Sequence, residues 1–176
     1  MKKHGFKVLL LGAPAVGKTS ILYRYIKNKF SHDYITTIGI NYLTKEINLD
    51  EKNLAKLVIW DVAGQEKFKF LRNQYYEGTH GALVIFDLTI LKTYEELEHW
   101  LSEMFEILQK KIPFIIIGNK LDLVKEVSRS IDNDIVRDYA ENQDSIYIET
   151  SAKTGENIEE AFKELAQRMI KQDSKK

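Results

Sequence analysis

The chain has 176 residues, 44% hydrophobic and 30% charged, which fits a single domain over residues 1–176 with a sizeable core. Its 26 basic and 26 acidic residues cancel, which excludes a global basic field for nucleic acid or an anionic membrane. Without cysteine, the chain has no disulfide, thiol catalysis, zinc–thiolate site or cysteine lipidation. Because no membrane-length apolar run and no signal peptide occur, we expect a cytoplasmic monomer with a short polar tail at residues 172–176.

The first predicted element is a strand over residues 6–11, followed by the sequence GAPAVGKT at residues 12–19 and an amphipathic helix. The spacing Gly-x4-Gly-Lys-Thr between a strand and a helix is that of a phosphate-binding P-loop, and a plain glycine turn is the alternative. Gly12 and Gly17 let the backbone wrap closely around an anion, which the helix N-terminus also attracts. Lys18 adds a full charge near the terminal phosphates, and the Thr19 hydroxyl is a hard ligand for Mg²⁺.

The next segment, residues 30–39, contains aromatic and hydroxyl side chains but no helical period. In it, Thr37 can offer a hydroxyl to Mg²⁺ when a third phosphate recruits the loop. Two strand patterns follow, at residues 43–49 and 54–60, with residues 50–53 between them. This short connection predicts a hairpin, and hence one antiparallel pair in an otherwise parallel sheet.

The sequence DVAGQ at residues 61–65 ends the second hairpin strand. An acidic residue there can hold Mg²⁺ through a water beside Thr19, although a cap or turn residue is the alternative for Asp61. The Gly64 N–H can meet a γ-phosphate, and Gln65 can orient an attacking water. Residues 61–65 therefore predict the part of the site where water attacks the γ-phosphate.

Two continuous apolar runs, residues 82–86 and 114–117, predict strands buried on both faces of a parallel sheet. The sequence TYEE at residues 93–96 resembles a capping box, and one helical face follows it: Leu97, Leu101, Met104, Phe105 and Leu108. The last helix repeats apolar residues at helical spacing: Ile158, Phe162, Leu165 and Met169. The alternation predicts an α/β domain with helices on both faces of the sheet.

The sequence NKLD at residues 119–122 follows the strand at residues 114–117. The Asp122 carboxylate can accept hydrogen bonds from N1–H and the exocyclic amine of guanine, whereas adenine presents an acceptor at N1 and would be rejected. The Lys120 stem can cover one face of the ring. A polar loop is the alternative for this motif alone, but ligands of such sheets bind at the carboxyl ends of strands.

Five motifs occur along the chain: residues 12–19, Thr37, and residues 61–65, 119–122 and 149–153 (ETSAK). Together they resemble the motifs of small GTPases of the Ras superfamily, and the resemblance covers residues 6–171. Three segments are most similar to the Rab branch: residues 38–42, 56–60 and 75–81. The resemblance implies a P-loop NTPase fold whose six-stranded, mostly parallel sheet has one antiparallel edge strand.

The resemblance implies a switch that binds GDP or GTP with Mg²⁺ and hydrolyses GTP slowly. Gln65 and Lys18 would be catalytic, and Thr19, Thr37 and Asp61 would serve the metal. Phe30 would pack against guanine, and Tyr34 would close over the phosphates. The residues expected to contact the nucleotide are Ala15, Val16, Gly17, Lys18, Thr19, Ser20, Phe30, Tyr34, Thr37, Gly64, Asn119, Lys120, Asp122, Ser151, Ala152 and Lys153.

The resemblance also implies two switch segments, near residues 30–42 and 62–78, that γ-phosphate and Mg²⁺ order. Tyr42, Trp60 and Tyr75 match the aromatic trio that Rab effectors bind, and an aromatic patch packed inside the sheet edge is the alternative. An exchange factor and a GTPase-activating protein are expected partners. Membrane association is expected only if a lipidated tail is missing from this chain, because the sequence has no cysteine and no glycine at position 2.

Pro14 departs from the resemblance, since many relatives have glycine or serine at this loop position. Proline fixes φ and removes an N–H near the expected γ-phosphate, so a GTP-binding scaffold with little hydrolysis is a second hypothesis. A third, an ATP-using kinase or ATPase, is opposed by residues 119–122. No arginine lies where an arginine finger within the chain is expected, and all have surface explanations: Arg24, Arg72, Arg129, Arg137 and Arg168.

Overall fold

The computed structural model describes residues 2–31, 40–64 and 69–174. The strands are β1 (Lys2–Leu11), β2 (Ile40–Asn48), β3 (Asn53–Val62), β4 (Gly81–Asp87), β5 (Phe114–Asn119) and β6 (Tyr147–Glu149). The α-helices are α1 (Lys18–Lys27), α2 (Lys69–Tyr76), α3 (Leu91–Glu95), α4 (Leu97–Leu108), α5 (Val124–Val127), α6 (Asn133–Asn142) and α7 (Ile158–Asp173). A 3₁₀ turn, Leu121–Leu123, precedes α5.

The six strands form one sheet in the order β2-β3-β1-β4-β5-β6. The β2–β3 pair is antiparallel, and the other four pairs are parallel. Asp50 closes the turn between β2 and β3, because its Oδ1 accepts hydrogen bonds from the N–H groups of Lys52 (2.7 Å) and Asn53 (2.8 Å). The predicted α/β class, the hairpin and the single antiparallel edge strand are confirmed.

The core lies in two layers, one on each face of the sheet. Alternate residues of β1 enter opposite layers, with Leu10 packing on the face of α1 and α7 and Leu9 on the face of α4. Every residue of β4 and β5 is buried, which explains why both strands appear in the sequence as continuous apolar runs. In α7 the predicted apolar face is buried through Ile158, Phe162, Leu165 and Met169. Within the described ranges no helix is long and apolar enough to cross a membrane.

The predicted capping box at residues 93–96 is wrong. Helix α3 already begins at Leu91, its N-cap is Ile90, and no side chain caps it. The Thr93 hydroxyl accepts a hydrogen bond from the Asp87 N–H (2.9 Å) and lies 2.7 Å from the Ile90 carbonyl oxygen. Thr93 therefore closes the turn that follows β4, a role that depends on the position of the strand and not on helix spacing.

Candidate functional site

The predicted motifs meet at one edge of the sheet. They follow the carboxyl ends of β1, β3, β5 and β6, which are parallel to one another and therefore end at the same edge. This edge is where open α/β sheets bind ligands. The predicted site residues Tyr34, Thr37 and Gln65 lie outside the described residues.

The loop between β1 and α1 requires glycine at both of its ends. Gly12 has φ 144° and Gly17 has φ 102°, values that side-chain-bearing residues rarely adopt. A Cβ at Gly12 would lie 2.1 Å from the Ile85 carbonyl oxygen, and one at Gly17 would lie 2.2 Å from Asn119 Nδ2. Gly12 therefore allows the loop to lie close to β4, and Gly17 allows it to lie close to Asn119.

Lys18 begins α1 and folds back over the loop that precedes it. Its Nζ donates hydrogen bonds to the carbonyl oxygens of Gly12 (2.7 Å) and Ala13 (2.8 Å), and the residue is only 6% exposed. Burial lowers the pKa of Lys18 to about 8, while the charge of Asp61 raises it and that of Arg72 lowers it further. The ammonium group of Lys18 therefore lies beside the loop with little solvent around it, as expected for a group that binds an anion.

Thr19 and Asp61 are in direct contact although 42 residues separate them. The Thr19 hydroxyl donates a hydrogen bond to Asp61 Oδ2, and Asp61 is fully buried. Among the described residues no group of three or more His, Cys, Asp or Glu side chains could hold a metal ion. A hydroxyl beside one carboxylate fits Mg²⁺, which takes few protein ligands and completes its shell with phosphate oxygens and waters.

Gly64 lies against the loop at residues 12–14. A Cβ at Gly64 would lie 2.5 Å from the Gly12 carbonyl oxygen and 2.8 Å from Pro14 N. The end of β3 and the phosphate loop therefore form one wall. On this wall Pro14 and Ala15 are exposed, and Ala15 takes the left-handed conformation with φ 64°.

Asn119 joins three parts of the site. Its Nδ2 donates a hydrogen bond to the Val16 carbonyl oxygen (2.9 Å), and its Oδ1 accepts bonds from Thr150 Oγ1 (3.1 Å) and the Ala152 N–H (3.2 Å). The side chain is 1% exposed. Asn119 therefore connects the phosphate loop to β5 and to the loop at residues 151–153. These contacts fix the distance between the two loops.

The Asp122 carboxylate is oriented by a neighbour from the loop after β6. Ser151 Oγ donates a hydrogen bond to Asp122 Oδ1 (2.6 Å) and accepts one from the Thr154 N–H (3.1 Å). Lys120 has φ 69°, and its Nζ lies 2.7 Å from Oδ2 of the buried Asp87. Of the other predicted contacts, Ala152 is buried, Ser20 and Phe30 are half-buried, and Lys153 is exposed.

Tyr42, Trp60 and Tyr75 form a continuous aromatic surface. The ring centroids of Tyr42 and Trp60 are 5.0 Å apart, and those of Trp60 and Tyr75 are 5.7 Å apart. Tyr42 is 57% exposed and the other two are half-buried. The patch lies at the surface on β2, β3 and α2, and is not packed away inside the sheet edge.

Arg72 is the clearest feature that sequence reasoning missed, because its expected surface role is wrong. It is 1% exposed, and its Nε and Nη2 donate hydrogen bonds to Glu103 Oε1 (2.8 Å) and Oε2 (2.9 Å). Its guanidinium lies 4.8 Å from the ring centroid of Trp100, and Tyr76 OH donates a further bond to Glu103 Oε1 (2.8 Å). This buried cluster fastens α2 to α4, and no local sequence signal distinguishes Arg72 from a surface arginine.

The chain matches known proteins over nearly its whole length. The Ras family profile matches residues 7–171. Rab-21 of Homo sapiens is 41% identical over 169 residues, covering 96% of this chain and 74% of the relative. RABA1h of Arabidopsis thaliana is 39% identical over 171 residues, 97% of this chain and 77% of the relative. Rab-25 of Bos taurus is 39% identical over 170 residues, 97% of this chain and 78% of the relative.

These matches and the geometry of the sheet edge lead to the same class of protein. The relatives are Ras-related Rab proteins, and the fold is the α/β fold of P-loop GTPases. Guanine-nucleotide binding and GTP hydrolysis come with this family. The chain therefore belongs to the Ras family, as a GTP-hydrolysing small GTPase of the Rab branch.

Proposed function

We propose that this protein is a GTP-dependent switch of Rab-like trafficking or signalling, which binds GDP or GTP together with Mg²⁺. The observation that supports this proposal best is the hydrogen-bond network of Asn119, which joins the phosphate loop to the loop at residues 151–153. At the phosphate loop, Lys18 carries the charge and Thr19 the hydroxyl that phosphates and Mg²⁺ need. At the other end of the site, Asp122 carries the carboxylate that selects guanine.

Each end has a defined role in the proposal. Lys18 and the N–H groups of residues 15–20 bind the phosphates, and Thr19, Thr37 and Asp61 would hold Mg²⁺. When bound, the ion neutralises charge on the phosphate oxygens. Asp122 accepts hydrogen bonds from guanine, and Lys120, Phe30, Ala152 and Lys153 surround the ring. The segments near residues 30–42 and 62–78 are the switches, with Tyr34 and Gly64 on the γ-phosphate side.

Hydrolysis in this proposal depends on Gln65, which orients the attacking water. We expect slow turnover by the protein alone, and a partner's arginine would accelerate it roughly 10³–10⁵-fold. The second candidate function is a GTP-binding scaffold with little hydrolysis. Pro14 favours it, because an exposed proline stands in the loop wall beside Gly64.

Single-turnover hydrolysis of GTP loaded on the pure protein separates these two functions. We expect slow conversion to GDP by the wild type and none by Gln65→Leu, because leucine cannot orient a water. Tightly bound GDP or GTP in both proteins controls for folding of the variant. Absence of turnover in the wild type, even with an activating protein, would favour the scaffold. Equal turnover by both proteins would mean that Gln65 does not position the water.

We also propose that a GTP-state effector binds the surface of Tyr42, Trp60 and Tyr75. Tryptophan and tyrosine side chains that reach the surface are enriched among the anchors of protein interfaces. We expect the Tyr42→Ala variant, loaded with a non-hydrolysable GTP analogue, to bind such an effector roughly 30-fold more weakly.

A pull-down from the source cells with the GDP and GTP forms measures this effect. The matched control is Ile135→Ala, which truncates another exposed apolar side chain, on α6. Equal capture by the GDP and GTP forms would contradict the effector surface. Unchanged capture by Tyr42→Ala would place the effector elsewhere.

A further inference from the structure

Arg24 lies in α1, outside the phosphate loop, yet it holds the loop that carries the base-binding residues. Its Nε donates a hydrogen bond to the Ala152 carbonyl oxygen (2.8 Å), and its Nη2 donates one to the Lys153 carbonyl oxygen. Its Nη1 donates to Oδ1 of Asn28 (3.0 Å), the residue that caps the end of α1. The guanidinium thus bridges α1 and the loop after β6. The two carbonyl oxygens that it reaches in this loop belong to residues 128 and 129 positions further along the sequence.

The peptide groups at Ala152 are held from two sides. Asn119 Oδ1 accepts the hydrogen bond of the Ala152 N–H, and Arg24 donates to the carbonyl oxygen of the same residue. Ser151, immediately before Ala152, donates its hydroxyl hydrogen bond to Asp122. A shift of the loop at Ala152 would therefore move the hydroxyl that orients the Asp122 carboxylate.

Carbonyl hydrogen bonds from a guanidinium are strong, because the donor carries a full charge and its planar fork reaches two oxygens at once. The Arg24 stem also packs beside Gly155, where a Cβ would lie 3.5 Å from Arg24 Cδ. Gly155 has φ 89°, a backbone conformation that residues with a side chain rarely adopt.

We propose that Arg24 is a positioning residue for guanine recognition, which holds residues 151–153 against α1 so that Asp122 meets the base. This inference rests on the proposed function, since it concerns the same guanine pocket. Arg24 acts through Ala152, Ser151 and Asp122 and does not itself contact the nucleotide. Loss of Arg24 would therefore loosen the base end of the site while leaving Lys18, Thr19 and Asp61 in place.

The experiment compares the release of fluorescent GDP, and the affinities for GDP and IDP, between the wild type and Arg24→Ala. IDP lacks the exocyclic amine of guanine, so the preference for GDP over IDP reports how well Asp122 is positioned. We expect GDP release to become about tenfold faster or more, given the strength of charged hydrogen bonds. We also expect the preference for GDP over IDP to fall several-fold.

Two further variants keep the test decisive. Arg168→Ala removes a half-buried arginine that pairs with Glu164 within α7, and we expect it to release GDP like the wild type. Arg24→Lys retains the charge and most of the stem but lacks the planar fork, so its release rate should lie between those of the wild type and Arg24→Ala.

Each remaining outcome has a clear meaning. If Arg24→Ala weakens GDP and IDP equally, Arg24 supports the fold only and the inference is wrong. If Arg24→Ala and Arg24→Lys both release GDP like the wild type, the inference is also wrong, while the proposed guanine site stands. If the wild-type protein itself does not retain GDP, the proposed function fails first, and the role of Arg24 fails with it.

Discussion

Replacement of Asp122 by asparagine should move the base preference of the protein from guanine to xanthine. In the proposed site the carboxylate of Asp122 accepts hydrogen bonds from N1–H and the exocyclic amine of guanine, and an asparagine amide would turn a donor toward that amine. Xanthine carries a carbonyl oxygen where guanine has the amine, so it complements the amide. We expect GDP affinity to fall on the order of 10⁴-fold, because a site built around a substrate N–H leaves buried polar groups unpaired when the match is lost.

Competition of GDP, XDP and ATP measures this change, against a fluorescent guanine nucleotide on the wild type and against a fluorescent xanthine nucleotide on Asp122→Asn. In Asp122→Asn the oxygen of the introduced amide can still accept the hydrogen bond of Ser151 Oγ, so the pocket should keep its shape. Asp134→Asn is the matched control, because Asp134 is an exposed residue of α6 whose ion-pair partner, Arg137, lies on the same helix. Weak binding of both GDP and XDP by Asp122→Asn would indicate a structural role for the carboxylate. Effective displacement by ATP from the wild type would contradict the guanine assignment.

Replacement of Glu103 by glutamine should lower the free energy of unfolding by about 3–5 kcal/mol at neutral pH, since it removes the buried charge that accepts two hydrogen bonds from the Arg72 guanidinium. Arg72 and Glu103 are both buried, and Tyr76 donates a hydrogen bond to the same carboxylate. Glutamine keeps the size of the side chain, so the loss reports charge and hydrogen bonding and not a cavity. The predicted loss is large because α2 is fastened to α4 through this cluster.

The pH dependence of this loss follows from the pKa of Glu103. Burial alone would raise this pKa, but the hydrogen bonds from Arg72 and Tyr76 and the charges of Arg72 and His99 together lower it below its ordinary value of 4.5. A carboxyl whose folded pKa is lowered stabilises the protein above the unfolded pKa and loses that contribution as pH falls through the folded pKa. The difference between wild type and Glu103→Gln should therefore be complete at neutral pH and shrink below about pH 4.5.

Urea unfolding of the two proteins at neutral pH and at several acidic pH values measures this prediction. Glu164→Gln is the matched control, because Glu164 pairs with Arg168 at the partly exposed surface of α7, and such pairs contribute at most about 1 kcal/mol. A loss for Glu103→Gln no larger than that of Glu164→Gln would mean that the charge of Glu103 does not stabilise the folded protein. A loss that did not change with pH would contradict the role of the Glu103 charge.

Features whose chemistry is local could be predicted from the amino-acid sequence. The phosphate loop depends on two glycines, a lysine and a threonine at set spacing, and these residues lie between β1 and α1 as the spacing requires. The buried strands β4 and β5 were predictable because a strand covered on both faces must be apolar throughout. The order of motifs was also sufficient to predict the family, and the short connection at residues 50–53 was sufficient to predict the antiparallel pair.

Polar contacts between distant elements could be found only in the folded chain. Asn119 bonds to Val16, 103 residues away, and Arg24 bonds to Ala152, 128 residues away. The surface explanation was wrong for Arg72 because it bonds to Glu103, 31 residues away on another helix. The capping role was wrong for Thr93 for a different reason, since its hydroxyl closes a local turn with Asp87 and Ile90. Hydrophobic periodicity shows which face of an element is buried. It does not show which of several similar charged side chains forms a contact with another element of the fold. That choice depends on strand order and helix packing, which the chain acquires only when it folds.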